Sequence, residues 1–231
     1  MLVGENLKFK DNYRITALTL FPLPPYYSTV ILANGTFPES HLGLQLLHHA
    51  QQIICCDGAI DKMVAHGVMP TVIVGDCDSM TEKDKECWSK ILSVDKSEEY
   101  NDLQKALKYC LRNHLDHIVL LGCEGLRDDH FIANISIMAS YCEYLDLVMI
   151  TNHGIFNVIR ETTAFPSIRG QQVSVFTKDE NLPLTFHGLK YPVKERCFKH
   201  LWEGSLNEAL SEEFSIELHQ KGIVIVYRNL D

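Results

Sequence analysis

Two aspartates separated by one residue, Asp76 and Asp78, stand in the stretch Gly75, Asp76, Cys77, Asp78, Ser79, directly after an apolar, β-branched run at 71–74. A run of that kind, bounded by Pro70 and Gly75, reads as a buried strand whose C-terminal edge carries both carboxylates. In an open parallel sheet that edge is where ligands bind. Two carboxylates this close, with no Lys or Arg in the motif, repel one another unless a cation lies between them. A hard, oxygen-ligated ion such as Mg²⁺, carried in with substrate phosphates, suits the pair. The same residues also read as a polar strand-to-helix turn, with Asp78 or Ser79 capping a helix that begins near 81–83.

Similar chemistry recurs at other strand ends. Asn34 with Gly35, Asp57 with Gly58, and Gly122 followed by Gly125, Arg127 and Asp129 each close an apolar run, and the loop at 95–102 adds Glu99 and Asp102. Parallel strands present their C-terminal ends on one side of a sheet, so these groups converge although they are far apart in sequence. Carboxylates, glycines and a helix N-terminus suit a site that holds phosphate through metal and backbone N–H groups, with Arg127 as a forked positive contact. Each piece also has a structural reading. Asp57 and Gly58 make a turn, Asp102 before Leu103 makes a helix cap, and Arg127 beside Asp128 and Asp129 makes an exposed ion pair. His48, His49, His114 and His117 read as surface or helix-end residues, with no cysteine at zinc-ligand spacing. There is no GxxxxGK[ST] loop and no GxGxxG fingerprint. Cys77 is a poor nucleophile, because the flanking carboxylates raise its pKa and no histidine lies near it in sequence.

The elements that position these residues follow from periodicity. Strands are expected at 28–33, 53–56, 71–74, 91–94, 117–121 and 145–150. Helices are expected around 42–50, 60–65, 81–88, 103–111 and 130–141, the fourth with Leu103, Ala106, Leu107, Cys110 and Leu111 on one face. Such alternation implies an α/β layer with a mainly parallel sheet. After Asn152, His153 and Gly154 the texture changes to β-rich runs at 156–160, 171–176, 182–187 and 222–228, a smaller all-β unit, sandwich or barrel. The expected division is a peripheral extension at 1–27 that could carry a strand at 14–20, a catalytic α/β unit at 28–152 and a β unit at 153–231.

A chain of 231 residues with formal net charge -9 disfavours an extended nucleic-acid surface. Eight cysteines without a CxxC pair fit free thiols in a reducing cytoplasm, and neither a signal peptide nor a membrane-length apolar run is visible.

The ordered series of segments resembles the thiamine pyrophosphokinase family. Asp57, Gly58 and Ala59 resemble its Asp-Gly-Gly segment. Residues 75–79 resemble its Gly-Asp-Phe-Asp-Ser signature, and Asn101 and Asp102, with Lys105, Ala106 and Leu107 behind them, its Thr-Asp segment. Residues 122–130 resemble its Gly-rich stretch ending in Gly-Gly-Arg, one variable residue and Asp-His, and Asn134 fits the Asn that often follows. In the β half, residues 188–193 and 204–208 resemble two further segments. The resemblance implies an α/β catalytic unit followed by a β sandwich, and transfer of a pyrophosphoryl group from ATP to the hydroxyl of thiamine. It implies Mg²⁺ held by Asp57, Asp76, Asp78 and Asp102, with Asp76, Asp78 and Asp102 catalytic. Asn34, Gly35, Asp57, Gly58, Arg127 and Asp129 would bind the nucleotide, and Ser205 and Asn207 the thiamine, in a homodimer whose thiamine pocket lies between subunits. A metal-dependent phosphohydrolase and a catalytically weak nucleotide-binding regulator are the rival readings. Ala59, Cys77, Glu99, Asn101 and Leu126 depart from the family pattern, and Leu126 is expected to crowd a phosphate-facing turn.

Overall fold

The computed structural model describes residues 27–78 and 80–230. The expected strand at 14–20, the extension up to residue 26 and the capping role of Ser79 lie outside the described residues. The parallel layer contains β1 (Thr29–Leu32), β2 (Gln52–Cys56), β3 (Val72–Gly75), β4 (Leu92–Val94), β5 (Ile118–Leu121) and β6 (Leu147–Ile150). Between them run α1 (His41–His49), α2 (Ile60–Ala65), α3 (Glu82–Trp88), α4 (Asp102–Arg112) and α5 (Asp128–Tyr141).

β1, β3, β5 and β6 are buried at every residue, which is why they read as continuous apolar runs rather than alternating ones. Their alternate side chains serve two cores. Val30, Leu32 and Leu121 pack with Leu42, Leu46 and Leu47 of α1 and Met63 of α2. Ile31, Ile54 and Leu120 pack with Leu103, Ala106 and Leu107 of α4 and Met138 of α5. The sheet is thus covered by helices on both faces.

The order of these six strands is β6-β5-β1-β2-β3-β4. The chain proceeds outward from β1 to β4, then returns to place β5 on the opposite side of β1. The β1–β5 pair is therefore the point at which the direction of winding reverses, and a doubly wound sheet opens a crevice there.

Beyond residue 150 the sheet does not stop. β7 (Gly154–Ile159) pairs antiparallel with β6, Ile150 opposite Ile155, and β13 (Val224–Asn229), β9 (Gln172–Phe176) and β11 (Asn207–Glu208) extend it to ten strands. A three-stranded sheet of β10 (Leu184–His187), β12 (Glu213–Leu218) and β8 (Thr163–Pro166) faces this extension. Between them lies one core that includes Val173, Val175, Val224 and Val226 from one sheet and Leu184, Phe186, Phe214 and Ile216 from the other. Of the two β architectures open from sequence, this is the sandwich. β8, β11 and β12 are additional to the strands expected from sequence. β12 has the alternating Phe214 and Ile216 signal, whereas β11 is two residues long and has no period to read.

Candidate active site

At the reversal point the β1–β5 ladder continues past the strands. Ala33 N donates to Leu121 O at 2.9 Å, Gly35 N to Gly122 O at 2.7 Å and Thr36 N to Glu124 O at 2.7 Å. Gly35 is required for this approach, since a Cβ there would lie 2.2 Å from the Glu124 carbonyl oxygen. Beside the joined loops opens a cleft of about 330 Å³ whose lining includes Asn34, Gly35, Asp102, Arg127, His130 and Asn134. Lys62 Nζ fixes the β1 end by donating to Asn34 O and Oδ1, both at 2.9 Å, and to Gly35 O at 2.7 Å. Buried Asn134 donates from Nδ2 to Cys123 O at 2.9 Å and pins the β5 end.

The acidic edge borders this cleft. Asp57 is buried and both its oxygens are engaged: Oδ1 accepts from Gly58 N at 2.6 Å and Oδ2 from Cys77 N at 2.7 Å. It ties the β2 end to the β3 end. Gly75 makes room for it, because a Cβ at 75 would lie 2.4 Å from the Asp57 Cγ. Gly58 lies against the Asn34 side chain, and Asn34, Asp57 and Gly58 share a smaller recess of about 200 Å³ with Trp88 and Met80. Asp78 is exposed and donates from its backbone N to Asp76 Oδ1 at 3.2 Å.

The 75–79 motif contains no basic residue. In the folded chain one stands beside the aspartates: Lys105 Nζ lies 2.7 Å from Asp76 Oδ2 and 3.3 Å from Asp102 Oδ1. Its side chain is only 3% exposed, while those of Asp76 and Asp102 are 41% and 40% exposed. Lys105 is three residues after Asp102 on α4, so the Asp102 pair is local, but the Asp76 partner is 29 residues away and no spacing rule reaches it. Asn101, not Asp102, caps α4: its side chain accepts from Gln104 N, and the Gln104 side chain returns to Asn101 N. That frees Asp102, the first helical residue, to face the cleft.

The environments of the two carboxylates pull them apart. The Lys105 hydrogen bond, then the Asp78 backbone N–H, holds Asp76 below the usual carboxylate range. Burial, then the nearby Asp57 charge, raises Asp102, with Lys105 offsetting only part of this. Burial opposes charge on Lys105, but Asp76 and Asp102 outweigh it and its pKa is raised. Two carboxyl groups driven in opposite directions divide naturally into a permanent anion and a proton acceptor. Cys77 is no nucleophile, since burial and then Asp57 raise its thiol.

Among the described residues no three His, Cys, Asp or Glu side chains are gathered as a ready metal cage. The donor set nevertheless fits Mg²⁺ in kind. That ion takes one or two carboxylates and completes its shell with water and substrate phosphate, and Asp76, Asp102 and exposed Asp78 offer hard oxygens at the cleft edge.

Arg127 forms a bidentate pair with Asp129, Nε to Oδ1 at 3.0 Å and Nη2 to Oδ2 at 2.5 Å. Both are exposed, so the pair is open to solvent at the mouth of the cleft. Leu126 is 76% exposed and lies on the wall of the cleft. The demand for glycine at this position is conformational, because Leu126 holds φ at +59°.

Ser205 and Asn207 are not at this cleft. Asn207 is buried in β11 and its amide is spent on Tyr191, accepting from Tyr191 N at 3.0 Å and donating to Tyr191 O at 2.8 Å. Ser205 Oγ donates to Trp202 O at 2.7 Å. In the order of the sheet β11 is eight strand spacings from β3, roughly 40 Å at ~4.8 Å each.

Fold and site together define a doubly wound α/β protein with an acidic reversal-point cleft, its sheet continued into an antiparallel sandwich. Residues 44–149 match the model of the thiamin pyrophosphokinase catalytic domain, and residues 154–227 match that of the thiamin pyrophosphokinase substrate-binding domain. The chain belongs to the thiamin pyrophosphokinase family. A thiamine pyrophosphokinase of Bacillus subtilis is 28% identical over 183 residues, covering 71% of this chain and 81% of that protein. The fold is similar to the crystal structure of thiamine pyrophosphokinase from Bacillus subtilis (TM-score 0.73, 21% identity, 88% of this chain and 99% of that one). It is likewise similar to thiamin pyrophosphokinase from Candida albicans (TM-score 0.76, 16% identity, 90% and 91%).

Proposed function

We propose that the protein transfers a pyrophosphoryl group from ATP to the hydroxyl of thiamine, yielding thiamine diphosphate and AMP. The observation that carries this reading is the cleft at the β1–β5 reversal, with Asp102 on its wall and Asp76 tied to Asp102 through Lys105, in a chain of this family.

The nucleotide occupies the cleft, its phosphates toward the acidic edge, with Asn34 and Gly35 on one side and Arg127 on the other. Asp129 holds the Arg127 fork in plane until phosphate takes its place. Asp76, Asp78 and Asp102 would hold Mg²⁺, and Asp57 fixes the backbone that presents Asp76. An ion held there would supply positive charge against that developing on the transferring phosphates. The acceptor oxygen attacks the β-phosphorus, and the bond from that phosphorus to the α–β bridging oxygen breaks. AMP leaves with the electron pair while Asp102 takes the hydroxyl proton. Positioning dominates such a reaction, since the alcohol is a weak nucleophile.

The acceptor site is built by two subunits. Ser205 and Asn207 stand too far from the acidic edge of their own chain for one small alcohol to touch both. Around them Tyr191, Leu201, Trp202, Leu206 and Leu210 are exposed, Trp202 at 70% and Leu206 at 78%, an apolar surface of the kind that marks an interface. A homodimer that brings this surface to the partner's cleft completes the site. Replacing Trp202 by Asp yields a monomer by sedimentation; an unchanged dimer refutes this arrangement. A reducing cytoplasm suits the free cysteines, of which Cys55, Cys56, Cys77, Cys110 and Cys123 are buried. No described helix is long and apolar enough to cross a membrane.

The deciding experiment is incubation with ATP, Mg²⁺ and thiamine, followed by chromatography for AMP and thiamine diphosphate, with other hydroxyalkyl heterocycles in parallel. AMP that depends on thiamine supports the reading. Release of AMP or phosphate without any acceptor makes the protein a phosphohydrolase, and nucleotide binding without product makes it a regulator.

A further inference from the structure

We propose that Lys105 is a positioning residue that acts as an internal cation, holding Asp76 and Asp102 together and keeping free divalent metal off them until nucleotide arrives. The proposal rests on the phosphoryl-transfer reading of the cleft for its purpose, but its geometry stands alone. The α4 face around Lys105 is otherwise apolar, with Leu103, Ala106, Leu107 and Cys110 all buried. A lysine on such a face costs stability unless its charge is matched, and here two carboxylates match it at 2.7 and 3.3 Å. Because the lysine is 3% exposed and its partners about 40%, the ammonium lies on the protein side of the carboxylates and the solvent lies on the other.

That layering has two consequences. Asp76 Oδ2 and Asp102 Oδ1 are turned inward to the ammonium while Asp76 Oδ1 accepts from Asp78 N at 3.2 Å, which fixes the direction of both carboxylates, Asp102 on the cleft wall and Asp76 beside it. The positive charge behind the pair also weakens the attraction of Asp76 and Asp102 for a bare divalent cation, since each such charge within a few ångströms opposes the ion. Polyphosphate brings its own negative charge and restores the balance. Metal and nucleotide then enter as one complex rather than metal first.

The probe is Mn²⁺ alone, titrated into nucleotide-free protein and read by the loss of the free-ion electron paramagnetic resonance signal. Lys105→Met binds Mn²⁺ roughly tenfold or more tightly than the wild type, while Lys105→Arg stays close to the wild type. In turnover, Lys105→Met lowers kcat with little change in KM for ATP, because the carboxylates have lost their direction rather than the nucleotide its pocket. Lys105→Gln, which keeps a donor and drops the charge, gives the same tightening and serves if the Met variant does not fold. Mn²⁺ affinity that is unchanged or weaker in the uncharged variants overturns the proposal. The metal titration needs no substrate, so a wild-type protein inactive toward thiamine refutes the functional reading without touching this one.

Discussion

Gly75→Ala tests the joint between the β2 and β3 ends on which the acidic edge depends. The new Cβ would fall 2.4 Å from Asp57 Cγ and 2.6 Å from its Oδ2, both well inside contact distance. Asp57 has no space to withdraw, being 5% exposed and held by the N–H groups of Gly58 and Cys77 at 2.6 and 2.7 Å. Hydrogen bonds to a charged acceptor are worth roughly 1.5–3 kcal/mol each, and overpacking costs about 1–3 kcal/mol. Removing a glycine returns about 0.5–1 kcal/mol of unfolded-chain entropy. The net expectation is a loss of about 3 kcal/mol. Asp57→Ala alone leaves the buried Cys77 amide and the half-buried Gly58 amide without acceptors and costs about as much. The two losses do not fully add, because without the carboxylate the methyl group introduced at position 75 loses its two closest contacts and meets only the Cβ of residue 57, at 2.8 Å. The double variant is therefore expected roughly 4–5 kcal/mol below wild type rather than about 6, a coupling of about 1–2 kcal/mol. Urea unfolding followed by the fluorescence of Trp88 and Trp202 measures all four proteins. Additive losses, or a Gly75→Ala protein within about 0.5 kcal/mol of wild type, refute the reasoning.

Leu126→Gly relieves a left-handed residue at φ +59° whose side chain is 76% exposed; the gain is about 1 kcal/mol, and scanning calorimetry should show a rise of roughly 2–4 °C in Tm. Asp78→Asn lowers turnover by weakening metal binding, so its activity recovers in part at high Mg²⁺; equal activity and equal Mg²⁺ dependence in both proteins would sink that role. In metal-free protein, Asp102 titrates above its ordinary 3.8 and Asp76 below it. The raised group contributes stability that is lost as pH rises from 3.8 through its folded value, and the lowered one contributes stability that is lost as pH falls below 3.8. Carbon-13 carboxylate titration reads both directions, and Asp76 titrating above Asp102 contradicts the assignment of roles.

Much of the fold is legible in the sequence because its signals are local. The buried runs that form β1, β3, β5 and β6, the three-and-four spacing of Leu103, Ala106, Leu107 and Cys110, and the polar residues closing each run all lie within a few residues of one another. The same locality explains what is not legible. β8 buries only Phe165 and ends in a proline, β11 is two residues long, and the capping contest between Asn101 and Asp102 turns on the reach of one side chain to Gln104. The change of texture near 150 reads as a boundary between units, but strand pairing is decided by edges in space, and β7 takes the open edge of β6.

By itself the sequence determined which polar residues follow the apolar runs: Asp57, Asp76 and Asp78 with their glycines at strand ends, and Asp102 and Arg127 with Asp129 where helices begin. The family resemblance rested on that same ordered series. Tertiary structure decided which strand ends are neighbours. It placed the reversal between β1 and β5, turned Asp57 into a tie between loops, brought Lys105 across 29 residues to Asp76, and put Asn207 at the far edge of the sheet. The physical reason is that hydrogen-bond periodicity and side-chain type act over one or two turns of chain. Adjacency in a sheet is set instead by which apolar faces and strand edges are left to be covered, and it reaches the sequence only through the fold.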